Sequence, residues 1–206
     1  MIIGIDIDGV LCNLNGYVHK YFKKYLEENN IPYKFDKTKE YFNDQFHVEK
    51  DYEIDFWRAV SLHYAKKVVM KNQANLVTHK LHKEGHKLII VTSRLYSTED
   101  SDFGRKIQEL VLQWLEKHKI YYDKIFFCDE KIGKLDVIKE QKIDVMIDDS
   151  LRNINEISEI IPVFVFRNSA NRKAKGKNKI IVNGWKDIYK NISKMSKAQN
   201  KEKTLK

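Results

Sequence analysis

Ile2-Ile3-Gly4-Ile5 followed by Asp6-Ile7-Asp8-Gly9-Val10 is the stretch on which the fold turns. A short, continuous apolar run that ends abruptly in acids and a glycine is the pattern of a strand buried on both faces. The two carboxylates stand at i and i+2, which within a strand would put them on one face. Here the chain is already turning at Gly9, so Asp6 and Asp8 can converge on a single point beyond the strand end.

Similar runs recur along the chain, at Lys87–Thr92, Lys124–Cys128, Asp144–Asp148, Pro162–Phe166 and Lys179–Val182. With helical stretches between them they predict an α/β fold, a Rossmann-like parallel sheet flanked by helices. Ile107, Leu110, Val111, Trp114 and Leu115 fall at helical spacing behind a cap at Asp100 or Ser101, the signature of a β-α-β crossover. Further helices are expected over Leu135–Gln141 and Ile154–Glu159.

The interval from Gly9 to about His86 holds no strand of comparable strength. It carries helical patterns at Tyr17–Glu28, Phe56–Tyr64 and Gln73–Lys83, interrupted near Pro32 and over the aromatic, charged stretch Tyr33–Asp55. The organisation expected is a core of residues 1–13 and 84–192, a small helical cap at 14–83 inserted after the first strand, and a basic, flexible tail at 193–206.

Net charge is +9, yet it is unevenly placed. Residues 167–206 hold 13 Lys and Arg against 2 acids, leaving 25 and 27 in the first 166. The body is therefore not basic, and nucleic acid is not the expected partner. Cys12 and Cys128 stand far apart without companions at metal-ligand spacing, which excludes a disulfide framework and a zinc site. With no apolar span or leader pattern, a cytoplasmic protein is expected. His79, His82 and His86 lie among lysines and read as an exposed basic helix and turn.

Four pieces carry chemistry together: Asp6-x-Asp8-Gly9, Val91-Thr92-Ser93-Arg94, Lys134, and Ile147-Asp148-Asp149-Ser150. All but Lys134 close a predicted strand at the edge where parallel sheets bind ligands. Clustered carboxylates repel unless a small hard cation joins them. A hydroxyl and an ammonium suit the oxygens of a phosphoryl group in transfer. Arg94 either reaches a substrate or pairs with Glu99 or Asp100.

In order and character these pieces resemble the four motifs of the haloacid dehalogenase superfamily. The resemblance implies that Asp6 is a nucleophile forming an aspartyl-phosphate, and that Asp8 protonates the leaving group and then deprotonates water. It implies that Thr92 binds the phosphoryl group and Lys134 steadies the charge, with Lys131 and Lys139 as rival lysines. Mg²⁺ would sit on Asp6, the Asp8 carbonyl and Asp148, supported by Asp149. The early helical cap, Thr-Ser-Arg and Ile-Asp-Asp-Ser are similar to the 5′(3′)-deoxyribonucleotidase group. That likeness implies a small phosphorylated substrate, a nucleoside or deoxynucleoside monophosphate, held by Gly9, Ser93, Arg94 and the cap aromatics Tyr17, Tyr41, Phe42 and Trp57. The rival readings are a phosphatase for another metabolite such as a sugar phosphate, and a nucleic-acid-associated protein using the basic tail. Oligomeric state stays open.

Overall fold

A computed structural model of the chain describes residues 1–39, 41–129 and 131–204, with side chains as far as residue 198. Six strands form one parallel sheet: β1 (Ile2–Ile5), β2 (Lys87–Thr92), β3 (Lys124–Phe127), β4 (Val145–Asp148), β5 (Val163–Phe166) and β6 (Lys179–Val182). The spatial order is β3-β2-β1-β4-β5-β6, so the chain reverses direction of build at β1. Ile5 pairs with Ile90 on one side and Ile147 on the other. The residues after β1, β2 and β4 therefore emerge side by side, at the switch point where parallel sheets bind ligands.

Helices α1 (Leu14–Glu28), α2 (Phe42–Phe46), α3 (Lys50–Lys67) and α4 (Ala74–Lys83) lie between β1 and β2. The crossover α5 (Asp102–Lys117) starts at Ser101, whose Oγ accepts from the Gly104 amide at 3.0 Å. It is followed by α6 (Lys134–Glu140), α7 (Leu151–Ile157), a 3₁₀ turn at Ala170–Lys173 and α8 (Trp185–Thr204). No helix among the described residues is long and apolar enough to cross a membrane.

The larger core cluster joins sheet and inserted helices, with Ile3, Ile5, Phe22, Leu26, Phe56, Leu81, Trp114 and Trp185 among its members. A second cluster fills the other face through Ile89, Val91, Val137, Met146, Ile154 and Val163. Both faces of the sheet are covered, which explains the continuous apolar strands.

Four sequence expectations change. The stretch Tyr33–Asp55 is not without helix: α2 lies inside it, and α3 begins at Lys50. Glu53 accepts from the Asn43 amide in the first turn of α2, a long-range support that local periodicity cannot display. Within the expected 14–83 cap, α4 turns Ala74, Val77, Thr78 and Leu81 inward and packs on β2 and α8, so it belongs to the layer covering the sheet. The expected tail at 193–206 has no break at its start. Trp185, Ile188 and Ile192 seat α8 on the core and Met195 packs against it, so the helix continues past residue 193; side chains beyond 198 and residues 205–206 lie outside the described residues. His86 is buried at the start of β2 rather than exposed, while His82 stacks on Tyr121 and His79 reaches the Lys119 carbonyl.

Candidate active site

β1 delivers Asp6, whose amide donates to the Ile147 carbonyl of β4 at 3.0 Å, fixing the two strand ends together. Asp6, Asp148 and Asp149 each offer an oxygen, all within 4.8 Å of one another, and all three residues are buried. Lys134, the first residue of α6, sends its ammonium among them, 2.9 Å from Asp6 Oδ1 and 2.8 Å from Asp148 Oδ2. Of the three lysines in question, Lys134 is the one that reaches the carboxylates among the described ion pairs.

Neighbouring groups set the remaining oxygens. Asp148 accepts from the Ser150 amide at 2.9 Å and from Asn153 Nδ2 at 3.1 and 3.3 Å. Asp149 Oδ2 accepts from Asn168 Nδ2 at 2.9 Å. Gly9 has φ +74°, and a Cβ there would collide with the Asp149 carboxylate, so only glycine permits both the turn and the approach. Burial, reinforced by Asp148 and Asp8 and opposed by Lys134, pushes the Asp6 carboxyl up to about 7. Burial also pushes Asp149 well above the carboxylate range, with Asp6 and Asp148 adding to it. For Lys134 burial acts downward, but Asp148 and Asp6 outweigh it and hold the ammonium charged.

Asp8 stands slightly apart and is gripped by different partners. Arg94 forks onto it, Nε to Oδ2 at 3.0 Å and Nη2 to Oδ1 at 2.6 Å. Tyr64 donates its hydroxyl to Oδ1, and the Arg94 guanidinium lies over the Tyr64 ring, 4.5 Å from its centroid. Arg94 thus pairs with Asp8, and neither Glu99 nor Asp100 is its partner. Thr92 ends β2 with a buried hydroxyl that has no hydrogen-bond partner among the described residues. A buried, unpaired donor beside a carboxylate cluster is costly unless a ligand oxygen completes it.

Two cavities open on this centre. One, of about 250 Å³, is lined by Asp8, Leu14, Phe42, Glu53, Trp57, Ser61, Tyr64, Ser93, Arg94 and Leu95. The other, about 290 Å³, runs past Asp149, Asn168 and Arg152 and shares Leu14, Phe42 and Glu53 with the first. Phe42, Trp57, Ser93 and Arg94 are therefore brought to the site. Tyr41, largely exposed, lines only the second cavity. Tyr17 is not at either: its ring stacks on Tyr21 and its hydroxyl meets His63 Nδ1 at 2.7 Å, because its position on α1 faces α3.

Sequence reasoning missed Tyr64, Glu53, Asn153 and Asn168. Asn168 lies just beyond the end of β5, and the strand-end rule that found Asp6, Thr92 and Asp148 would have reached it. Tyr64 and Glu53 carry no comparable signal, being single polar positions on a helix.

The whole of this arrangement falls within one family model, described as 5′ nucleotidase, deoxy (Pyrimidine), cytosolic type C protein, which matches residues 1–199. The chain belongs to that family. As a member it is a phosphatase-type hydrolase of the haloacid dehalogenase superfamily. Solved structures share its fold. A haloacid dehalogenase-like hydrolase from Streptococcus pneumoniae superposes with a TM-score of 0.66 at 15% identity, over 93% of this chain and 98% of that one. A Clostridium acetobutylicum protein described as a predicted phosphatase gives 0.60 at 19%, over 94% and 98%. D,D-heptose 1,7-bisphosphate phosphatase from B. bronchiseptica, complexed with magnesium and phosphate, gives 0.53 at 13%, over 94% and 98%. No curated protein sequence matches the chain.

Proposed function

We propose that this family member is a Mg²⁺-dependent nucleotidase that releases phosphate from nucleoside or deoxynucleoside monophosphates. The observation that carries the reading is the double membership of Asp8. It belongs to the carboxylate centre and also to the wall of a cavity faced by Phe42, Trp57 and Tyr64. A group that protonates a leaving oxygen must touch the leaving group, so the leaving group occupies that cavity, and its aromatic walls suit a nucleobase.

The donor set fits a divalent cation. Among the described ion pairs the four carboxyl groups of Asp6, Asp8, Asp148 and Asp149 have two cations, Lys134 and Arg94, and the upward push on Asp6 and Asp149 is the mark of carboxyl groups crowded together. All the candidate ligands are hard oxygens. Asp6, the Asp8 carbonyl and Asp148 would hold the ion, with Asp149 behind them, and its chemistry would be neutralisation of phosphate charge.

Asp6 would attack phosphorus, forming its own O–P bond as the bond to the leaving oxygen breaks. Asp8, having first left the Arg94 fork and taken up a proton from solvent, would give that proton to the leaving oxygen. Water would then lose a proton to Asp8 and displace Asp6, restoring both carboxyl groups and releasing phosphate. Thr92 would donate to a phosphoryl oxygen and Lys134 would hold Asp6 in line. The two buried free cysteines accord with a cytoplasmic site of action.

The test is a panel of deoxynucleotides, ribonucleotides and sugar phosphates assayed with Mg²⁺ and after its removal by a chelator. Nucleotides should lead in kcat/KM, and chelation should stop turnover. A sugar phosphate leading the panel would overturn the nucleotide reading and leave the phosphatase assignment standing.

A further inference from the structure

We infer that a third cavity, of about 400 Å³ at the ends of β5 and β6, is a second anion site, which holds the phosphate group of a small phosphorylated metabolite apart from the reacting centre. Its wall includes Lys71, Arg167 and Arg172 and no acidic residue. Among the described residues none of these three cations stands in an ion pair. Asp187 and Asp149 reach the lining, but on amide groups: Asp187 accepts from the backbone N–H and Nδ2 of Asn183 at 3.0 and 3.2 Å, and Asp149 from Nδ2 of Asn168 at 2.9 Å. Lys71 is held in place. Its Nζ lies over the ring of Phe166, 4.7 Å from the centroid, and Phe166 lines the same cavity. Burial pushes the Lys71 ammonium down from its ordinary value, and Asp149 offsets only part of this. Ser169 Oγ accepts from Gln45 Nε2 at 3.2 Å, which leaves its own O–H to donate.

One ammonium, two guanidinium groups and a hydroxyl make a donor set of a single sign, and a dianionic phosphate group answers it. The volume favours an ester over the free ion, since it falls within the range of about 300–1,000 Å³ usual for small-molecule sites. Arg167 and Arg172 also open the basic stretch 167–206, which the proposed hydrolysis does not use. Position separates this cavity from the leaving group. It shares no lining residue with the cavity at Asp8 and meets the second cavity only at Asn168. β5 and β6 stand two and three strands from β1, about 10 and 14 Å across the sheet at the usual strand spacing. Lys71 belongs to the segment that returns from the inserted helices, where Met70 bridges to Cys12. Arg167 and Arg172 belong to the loop whose Asn168 and Asn171 bind Asp149. A bound phosphate group would join these two segments.

A bland reading makes Lys71 a counter-charge for Asp149 and leaves both arginines to solvent. Calorimetric titration of the whole chain separates the two. Glycerol 3-phosphate and inorganic phosphate are the probes, in chelator so that no ester is turned over, at constant ionic strength set with chloride. The wild type is compared with the double variant Arg167→Gln/Arg172→Gln, whose side chains are exposed, and with Lys71→Met. The wild type should bind the ester at least as tightly as free phosphate. Each variant should lose about 10-fold or more in affinity, the loss expected when charge-assisted hydrogen bonds to phosphate are removed. Turnover of p-nitrophenyl phosphate with Mg²⁺ should stay within about twofold of the wild type in the arginine variant, with unchanged melting temperature. Ester binding that survives the arginine substitutions would place the anion elsewhere and overturn the inference, as would no binding by the wild type. Uptake of inorganic phosphate alone would overturn the assignment to a phosphorylated metabolite. A fall in turnover as large as the fall in affinity would assign the arginines to the reacting centre and end the claim of a separate site.

Discussion

At the carboxyl edge of the sheet, Lys134 lies buried between Asp6 and Asp148, and Asp8 is held by Arg94 and Tyr64. In the inserted helices the aromatic side chains mostly hold one another: Phe22 packs on Phe46 and Phe56, and Tyr17 on Tyr21 and Tyr64. The first region crowds carboxyl groups around few cations, an arrangement that suits an incoming divalent ion. The second satisfies itself almost completely, and only the few side chains left facing the cavity, chiefly Phe42, Trp57 and Glu53, can discriminate between substrates. On the proposed function, chemistry and selectivity lie in regions with opposite packing logic, and substitutions should affect kcat in one and KM in the other.

The largest effect is expected at the sheet edge. Asp6→Asn removes the proposed nucleophile while keeping its size, and turnover should fall by about 10⁴-fold or more. No phosphorylated protein should accumulate when reaction is quenched in acid. An Asp6→Asn enzyme that retains a tenth of wild-type kcat would remove the proposed mechanism and with it the meaning of the comparison.

Lys134→Met comes next, because it acts on stability as well as rate. Asp6, Asp148 and Asp149 would then share a buried space with no side-chain cation among them, and breaking a buried pair in this way costs about 3–5 kcal/mol. Chemical denaturation without metal should show that loss. Added Mg²⁺ should recover part of it by binding the native state, while kcat stays depressed. If stability is unchanged, the ammonium is not the counter-charge it is taken to be.

The same contrast explains what could be read from the sequence. Asp6, Thr92 and Asp148 were legible because each ends an apolar run, and a parallel sheet brings such ends to one edge whatever the details of packing. Lys134 could be preferred to Lys131 and Lys139 only for its place at the entry to a predicted helix, since reach into a buried cluster depends on where α6 is docked. The ion pair of Arg94 with Asp8 spans from β2 to the β1 loop, and nothing local distinguishes Asp8 from Glu99 or Asp100 as a partner. In the insertion, an aromatic residue facing a cavity and one facing a neighbouring helix have the same periodicity. Trp57 and Tyr17 therefore looked alike, although one lines the cavity and the other does not.

Trp57→Leu tests that distinction from the cavity side. Loss of a stacking ring is worth about 1–3 kcal/mol per base, so KM for a nucleotide should rise by roughly 5- to 100-fold. The change in kcat should be smaller, because Asp6, Asp8 and Lys134 keep their own partners. A fall in kcat at constant KM would place Trp57 with the chemistry and erase the division between the two regions.

Tyr17→Phe should have the smallest effect, and it probes the division from inside the insertion. The hydroxyl removed reaches His63 Nδ1, and His63 is exposed, so water can replace the lost partner. The cost should fall at the low end of the about 0.5–1.5 kcal/mol typical of one hydrogen bond. The ring remains to stack on Tyr21 and to meet the edge of Tyr64, so the support beneath Asp8 stays in place. KM and kcat for nucleotides should both stay within about twofold of the wild type, as for a surface change away from the site. A KM raised as much as in Trp57→Leu would mean that Tyr17 turns toward the substrate during the cycle. The insertion would then be a moving binding surface, and its self-satisfied packing would describe only one of its states.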